Sequence, residues 1–252
     1  MDAPDNTVAK AVRVLSGIRE REDGASAREL AGAVGLPRST VQRLLTMLTE
    51  TGMVIQDERT QRYAIGPQAM WLGLGYRQGS ALVSVARGHM LALRDATGET
   101  VGLSTTVGDA RMFIEEFPST SELRFASELG RRYPLWSGAA GRVLMSGMSA
   151  SEVDRILGAH AHEEVVHEPL SVERTRELIA RVARDGYATA SSESLANVNS
   201  IAAPVHDARG DVVAALSISG PADRFTADRM SDAADHLVAA ARAISTSLRH
   251  GA

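Results

Sequence analysis

Apolar residues recur at helical spacing three times within the first fifty positions. Val8, Val12, Leu15 and Ile18 form one stripe behind Asn6, a residue suited to an N-cap. After the turn "EDGAS", the segment "SARE" (Ser26 to Glu29) has the form of a capping box and opens a short helix. Leu30, Ala31 and Val34 are its buried side, and Gly35 supplies a left-handed C-terminal residue. Pro37 begins a third helix, striped by Val41, Leu44, Leu45 and Leu48, that runs to about Thr51 and stops at Gly52. Met53–Gln56 and Arg62–Ile65 are rich in β-formers and flank a polar turn, so they predict a hairpin.

Three helices and a hairpin are the order of a winged helix-turn-helix, here spanning residues 1–66. In that motif the second helix of the pair enters the major groove. The outer face of the third helix offers Arg38, Ser39, Gln42, Arg43 and Thr46, with Thr40 beside them and no acid before Glu50. Arginine suits guanine and glutamine suits adenine, while acids would repel the phosphates. In the hairpin, Arg59 and Arg62 are placed for the flanking backbone or minor groove. A merely solvated helix face would also be polar. The lack of acids, the tight turn, the capping box and the hairpin together favour double-stranded DNA as the partner.

Residues 67–80 predict a short helix on which Met70, Trp71, Leu74 and Tyr76 share a stripe. Burial against its own chain and pairing with a second copy would both satisfy that stripe. From 81 to 252 the pattern mixes types. A helix is expected over 82–97, strands at "TVGLSTTVG", "RMFIEEF" and "LRFASEL", and helices around 138–148, 151–159 and 171–185. Strands follow at "YATAS", "SIAAPVHD" and "VVAALSISG", the last two joined by the turn "DARG", and a helix runs from Thr226 to Leu248. Such an order suits a mostly antiparallel sheet covered by helices, giving an α+β fold of two domains. In "ALSISG", Leu216 and Ile218 take one face and Ser217 and Ser219 the other. Two serines on one face mean either a wet sheet surface or the floor of a polar ligand site.

Composition narrows the functions. There are no cysteines, which excludes disulfides, thiol chemistry and cysteine-ligated zinc. The N-terminus is polar and acidic rather than a secretory signal, and no apolar run approaches a membrane span, so a cytoplasmic protein is expected. The net charge is −4, yet residues 1–66 balance nine basic against nine acidic groups and the rest carries the whole excess of acid. Charge therefore segregates weakly, in the direction of a DNA-binding head on an acidic body. "HAHEEVVH" brings His160, His162 and His167 near carboxylates, but the spacing is not that of the H-E-x-x-H zinc helix and reads as a solvated loop. Neither G-x-S-x-G nor a phosphate loop occurs. No catalytic residue, metal or cofactor is expected.

"ELAGAVGLPRSTVQRLLTMLTETGMV" closely resembles the N-terminal domain of IclR-type bacterial transcriptional regulators, and "YAIG" their wing. "GRRYPLWSGAAGRVLMS" and "IAAPVHDARGDVVAALSISGPADRFT" resemble later blocks of the same family in the same order, so the likeness runs from about Thr7 to Leu248. It implies a winged-helix head, a linker helix and a C-terminal effector-binding domain of the GAF-like α/β kind, assembled as dimers or dimers of dimers. It also implies that Ser217 and Ser219 line an effector pocket approached by Ala139 and Ala140 of "SGAAG" at a helix N-terminus. The chain departs from the family pattern. Asn199 and Ser200 stand where arginine and cysteine are frequent, and Trp136 where histidine or a smaller residue is common. Of the acids usual after "GYA", Ala190, Ser191 and Ser192 leave only Glu193. The expected ligand is a small organic acid. Trp136 could stack on an aromatic ring, or fill the core.

The expectation is thus a ligand-responsive regulator, acting as a repressor on a palindromic operator. Two other readings compete with it. In one, the C-terminal domain is an enzyme or sensor and the head binds protein; in the other, the protein is an effector-free architectural binder.

Overall fold

A computed structural model of the chain describes residues 6–161, 164–165, 168–169 and 171–250. It divides between Gly79 and Ser80 into two compact units. The first holds α1 (Thr7–Arg19), α2 (Ala27–Val34), α3 (Arg38–Glu50), the hairpin β1 (Val54–Gln56) and β2 (Tyr63–Ile65), and α4 (Pro67–Gly79). Asn6 caps α1 by accepting from the Ala9 N–H, and the Ser26–Glu29 capping box on α2 is complete. Gly35 ends α2 at φ +63°, where an L side chain would be strained. The core gathers Val14 and Ile18 of α1, Leu30 of α2, and Val41, Leu44 and Leu45 of α3. Val8 and Val12, expected to face inward, are exposed. Gly17 explains the different facing of α1: it brings Leu30 and Val34 of α2 against the helix, so Val14 joins the expected Ile18 on the inward side in place of Val8 and Val12.

The second unit is built on a six-stranded antiparallel sheet. Its strands are β3 (Thr100–Val107), β4 (Ala110–Phe117), β5 (Arg132–Pro134), β8 (Ala188–Ser191), β9 (Val198–His206) and β10 (Val212–Pro221), in the order β5-β4-β3-β10-β9-β8. A two-residue pair, β6 (Glu164–Val165) with β7 (Glu168–Pro169), stands apart and was not foreseen from the sequence. Helices α5 (Ala81–Thr97) and α9 (Ala227–His250) cover one face of the sheet around Met90, Leu216, Ile218 and Leu237. Helix α6 (Gly138–Met145) covers the other, backed by α7 (Ala150–Ala159) and α8 (Val172–Asp185). "LRFASEL", expected as a strand, is a loop, and the edge strand forms later, at Arg132–Pro134. The backbone of that loop is met by side chains rather than by a neighbouring strand. Thr100 Oγ1 donates to Phe125 O, Arg224 Nη1 to Leu123 O, and Glu116 accepts from the Ser127 N–H.

Candidate nucleic-acid interface and ligand cavity

The outer face of α3 is built by subtraction. Its apolar stripe fixes the helix on α1 and α2, which leaves Arg38, Ser39, Gln42, Arg43 and Thr46 exposed and Thr40 half-buried. Neither Arg38 nor Arg43 has an ion-pair or hydrogen-bond partner among the described residues. Gln42 is held from the wing, its Nε2 donating to Tyr63 Oη at 3.1 Å, which presents the amide in one orientation. The Thr46 hydroxyl donates back to Gln42 O at 3.1 Å. Arg59 lies exposed at the wing turn, whose geometry Asp57 fixes by accepting from Thr60 N–H and Oγ1; those bonds hold the Asp57 carboxyl below its ordinary pKa.

Arg62 serves a different purpose from Arg59. It donates from Nε to Asp23 O and from Nη2 to Gly24 O, and pairs with Glu29 at 3.1 Å. The guanidinium thus ties the wing to the turn before α2. Its donors are occupied inside the domain, which removes Arg62 from the expected DNA-facing set.

The second unit encloses a cavity of about 270 Å³ between the sheet and α6. Its floor is Ser200 of β9 and Ser217 and Ser219 of β10, and Ala139 and Ala140 of α6 close one side. Ser217 is 2% exposed and donates to Gly102 O at 3.3 Å, so this serine face is enclosed rather than wet. Apolar walls come from Phe113, Phe125, Leu195 and Val198.

Helix α6 reaches this point through two glycines. Gly138 sits at φ +80°, and a β-carbon on Gly141 would lie 2.0 Å from Leu135 O. The N-cap Ser137 makes no side-chain cap: its hydroxyl donates to Glu193 O and Ser194 Oγ, leaving the first-turn N–H groups of α6 without one. Arg111 on β4, 5% exposed, also lines the cavity. Its guanidinium lies over the rings of Phe113 and Tyr133, 5.2 and 5.0 Å from their centroids. Nη2 donates to Ser194 Oγ at a long 3.4 Å, while Nε and Nη1 have no hydrogen-bond partner. Burial pushes its pKa down to about 10, so the group stays charged at neutral pH.

These two architectures match known sequences end to end. The IclR helix-turn-helix domain matches residues 7–58, and the bacterial transcriptional regulator IclR C-terminal domain matches 75–246. The chain belongs to the IclR family of bacterial transcriptional regulators. The HTH-type transcriptional regulator KdgR of Escherichia coli (strain K12) is 32% identical over 249 residues, spanning 97% of this chain and 94% of that protein. Transcriptional repressor IclR of the same organism is 27% identical over 243 residues, spanning 94% and 88%. An IclR homolog from Microbacterium hydrocarbonoxydans, solved in complex with 4-hydroxybenzoate, superposes with a TM-score of 0.76 at 23% identity, covering 97% and 100% of the two chains. Membership makes the chain a DNA-binding transcriptional regulator rather than an enzyme. None of its described helices is long and apolar enough to cross a membrane.

Within this IclR-type domain, five of the seven expected effector residues come together: Ala139, Ala140, Ser200, Ser217 and Ser219. Two point elsewhere. Trp136 is packed in the core beneath α6 and stacked on His160, ring centroids 3.7 Å apart, so the core alternative holds for it. Asn199, next to Ser200 on the strand, necessarily faces the other way, and its Nδ2 donates to Phe225 O at 2.9 Å. The remaining histidines of "HAHEEVVH", His162 and His167, lie outside the described residues. No cluster of three metal-ligating side chains occurs among the described residues. Sequence reasoning missed Arg111, Phe113, Phe125, Tyr133 and Ser194. The one readable sign was an arginine alternating with an aromatic residue in "ARMFIEEF".

Proposed function

We propose that the protein is a ligand-controlled repressor whose α3 reads a palindromic operator, and whose C-terminal cavity holds a small organic acid that changes operator affinity. The observation that carries this reading is the outer face of α3, where two unpartnered arginines, an oriented amide and no acid before Glu50 project from a helix otherwise fixed by its core. Arg38 and Arg43 serve guanine edges or phosphates, Gln42 an adenine edge, and Ser39, Thr40, Thr46 and Arg59 the flanking backbone.

Two copies are needed, because a palindrome presents two half-sites about one helical turn apart. Helix α4 supports pairing: it buries none of its residues, and Met70 and Trp71 are 69% and 67% exposed. A second copy of the chain would cover that face, and a dimer of dimers would engage a longer operator. A repressor among the relatives and a structural relative holding 4-hydroxybenzoate support the repressor mode and the organic-acid ligand. The cytoplasm, where bacterial DNA lies, is its place of action. A ligand can act only through different affinities for the operator-competent and operator-incompetent arrangements.

The test is binding of the full chain to DNA upstream of its own gene. Arg43→Ala is expected to weaken it by about 5- to 100-fold, the range of one lost bidentate contact. The slope of affinity against salt falls as well if the contact is to phosphate. Unchanged affinity in a variant that melts like the parent would sink the reading of α3.

A further inference from the structure

We propose that Arg111 makes the cavity selective for a planar carboxylate, seated between its guanidinium and the uncapped N-terminus of α6, with an unsaturated or aromatic body against Phe113 and Phe125. The inference rests on the reading that this cavity holds the effector, and it names the residue and the ligand chemistry that decide what enters.

A guanidinium is always charged near neutrality, and a buried charge persists in a fold only when it is compensated. The structure supplies little compensation for Arg111. Two of its nitrogens have no partner, the third has a long bond to a neutral hydroxyl, and no carboxylate lines the cavity, although three arginines do. The other buried arginine nearby is matched by an acid, Arg142 pairing with Glu193, and even the exposed Arg224 pairs with Glu99. Arg111 is therefore not one more structural ion pair. It is a half-made one.

The missing half would be anionic and flat. A β-carbon at Gly138 would lie 2.1 Å from Ser194 Oγ and 3.9 Å from Arg111 Nη2, so the guanidinium and the first turn of α6 converge on the place now held by the Ser194 hydroxyl. The helix end adds backbone donors and the positive end of its dipole. A carboxylate that displaces the Ser194 hydroxyl there accepts from the guanidinium edge in the bidentate manner and from the α6 N–H groups together. The guanidinium carbon sits over the rings of both Phe113 and Tyr133, which hold the group in place without offering it a hydrogen-bond acceptor. Beyond the guanidinium the walls are apolar, and Ser200, Ser217 and Ser219 stand opposite for a hydroxyl or carbonyl on the ligand body. A simple halide or phosphate would satisfy the charge but leave those walls unfilled.

The experiment compares 4-hydroxybenzoate with 4-hydroxybenzamide, its uncharged analogue of the same shape, in titrations of the full chain; benzoate, phenylacetate, pyruvate and chloride serve as further probes. The parent is expected to prefer the acid over the amide by about tenfold or more, the worth of a charge-assisted bond over a neutral one. Arg111→Met should bring the two within about twofold, and Arg111→Lys should keep part of the preference. Preference for the acid retained in Arg111→Met overturns the assignment of Arg111 but leaves the cavity as effector site. Equal binding of acid and amide by the parent overturns the carboxylate. No response of the parent to any organic probe overturns this proposal and the effector reading together, while Arg43-dependent DNA binding would still stand. A chloride response equal to that of benzoate would reduce the site to a bare anion hole and also overturn it.

Discussion

Arg38 and Arg43 on α3 and Arg111 on β4 are the same side chain in two settings, and all three lack a charged partner among the described residues. On α3 the lack costs nothing, since water solvates an exposed guanidinium. In the cavity, burial pushes Arg111 down to about 10. An unpaired arginine on the surface is therefore weak evidence of function by itself, and α3 needs its whole pattern to make the case. An unpaired arginine in the interior is stronger evidence, because the fold bears a penalty that two ring contacts and one long hydrogen bond return only in part.

The largest blow to the cavity side should come from Gly141. Its β-carbon would meet Leu135 O at 2.0 Å, backbone against backbone, so the start of α6 cannot stay where it is. Gly141→Val is expected to cost on the order of 3 kcal/mol and to remove any melting shift given by aromatic acids. Gly88, mid-helix in α5 with open space around it, is the control: Gly88→Ala should stabilise by roughly 0.5–1 kcal/mol. If Gly141→Val melts like the parent and still responds to acids, the anionic end of the cavity is not built on that contact.

Next in size is the sign of the arginine effects on stability. Removing the buried charge by Arg111→Met should raise the stability of the ligand-free protein by about 1–3 kcal/mol, since each unit of pKa displacement is worth ~1.4 kcal/mol. Arg43→Ala should stay within about ±0.5 kcal/mol. The folded pKa of Arg111 lies below its ordinary value, so the unfolded chain holds the proton more tightly. Its penalty is then constant at neutral pH and relaxes only as pH rises above about 10. Thermal melts of the two variants between roughly pH 6 and 9 should therefore show a constant gap. Destabilisation by Arg111→Met would mean that the guanidinium is structural after all.

The same contrast explains what could be read from the chain beforehand. Helices α2 and α3 and the wing were legible because caps, turns and the period of the apolar stripe are local signals. Arg62 was misread for the same reason: its partners Asp23, Gly24 and Glu29 are distant in sequence. The serine floor was legible because alternation in β10 is unbroken from Ala215 to Ser219. Arg111 was hidden by a bulge. Phe113 pairs with Ser104 but Glu115 with Leu103, so Ile114 is an extra residue and the strand changes face there. Counting by twos from Glu115, which meets Arg87 of α5, would put Arg111 on the wrong side of the sheet.

The smallest effect should come from a group between the two extremes. Glu116 is half-buried on β4 and accepts from the Ser127 N–H at 2.8 Å and from its hydroxyl, which anchors the loop carrying Phe125. Burial raises its pKa, and the Ser127 bonds pull it back. A carboxyl with a raised folded pKa contributes stability that is complete below its unfolded pKa and is lost as pH rises through the folded value. At neutral pH the ionised form is therefore a small liability. Glu116→Gln keeps an oxygen for the Ser127 N–H and removes the charge. It should be slightly more stable than the parent at neutral pH, by well under 1 kcal/mol because water still screens a half-buried group (about a few tenths). The gap should close as pH falls through the carboxylate range. A gap that persists in acid would assign the difference to packing rather than charge. Exposure, and not residue type, would then no longer rank the three sites by what an unpaired charge costs.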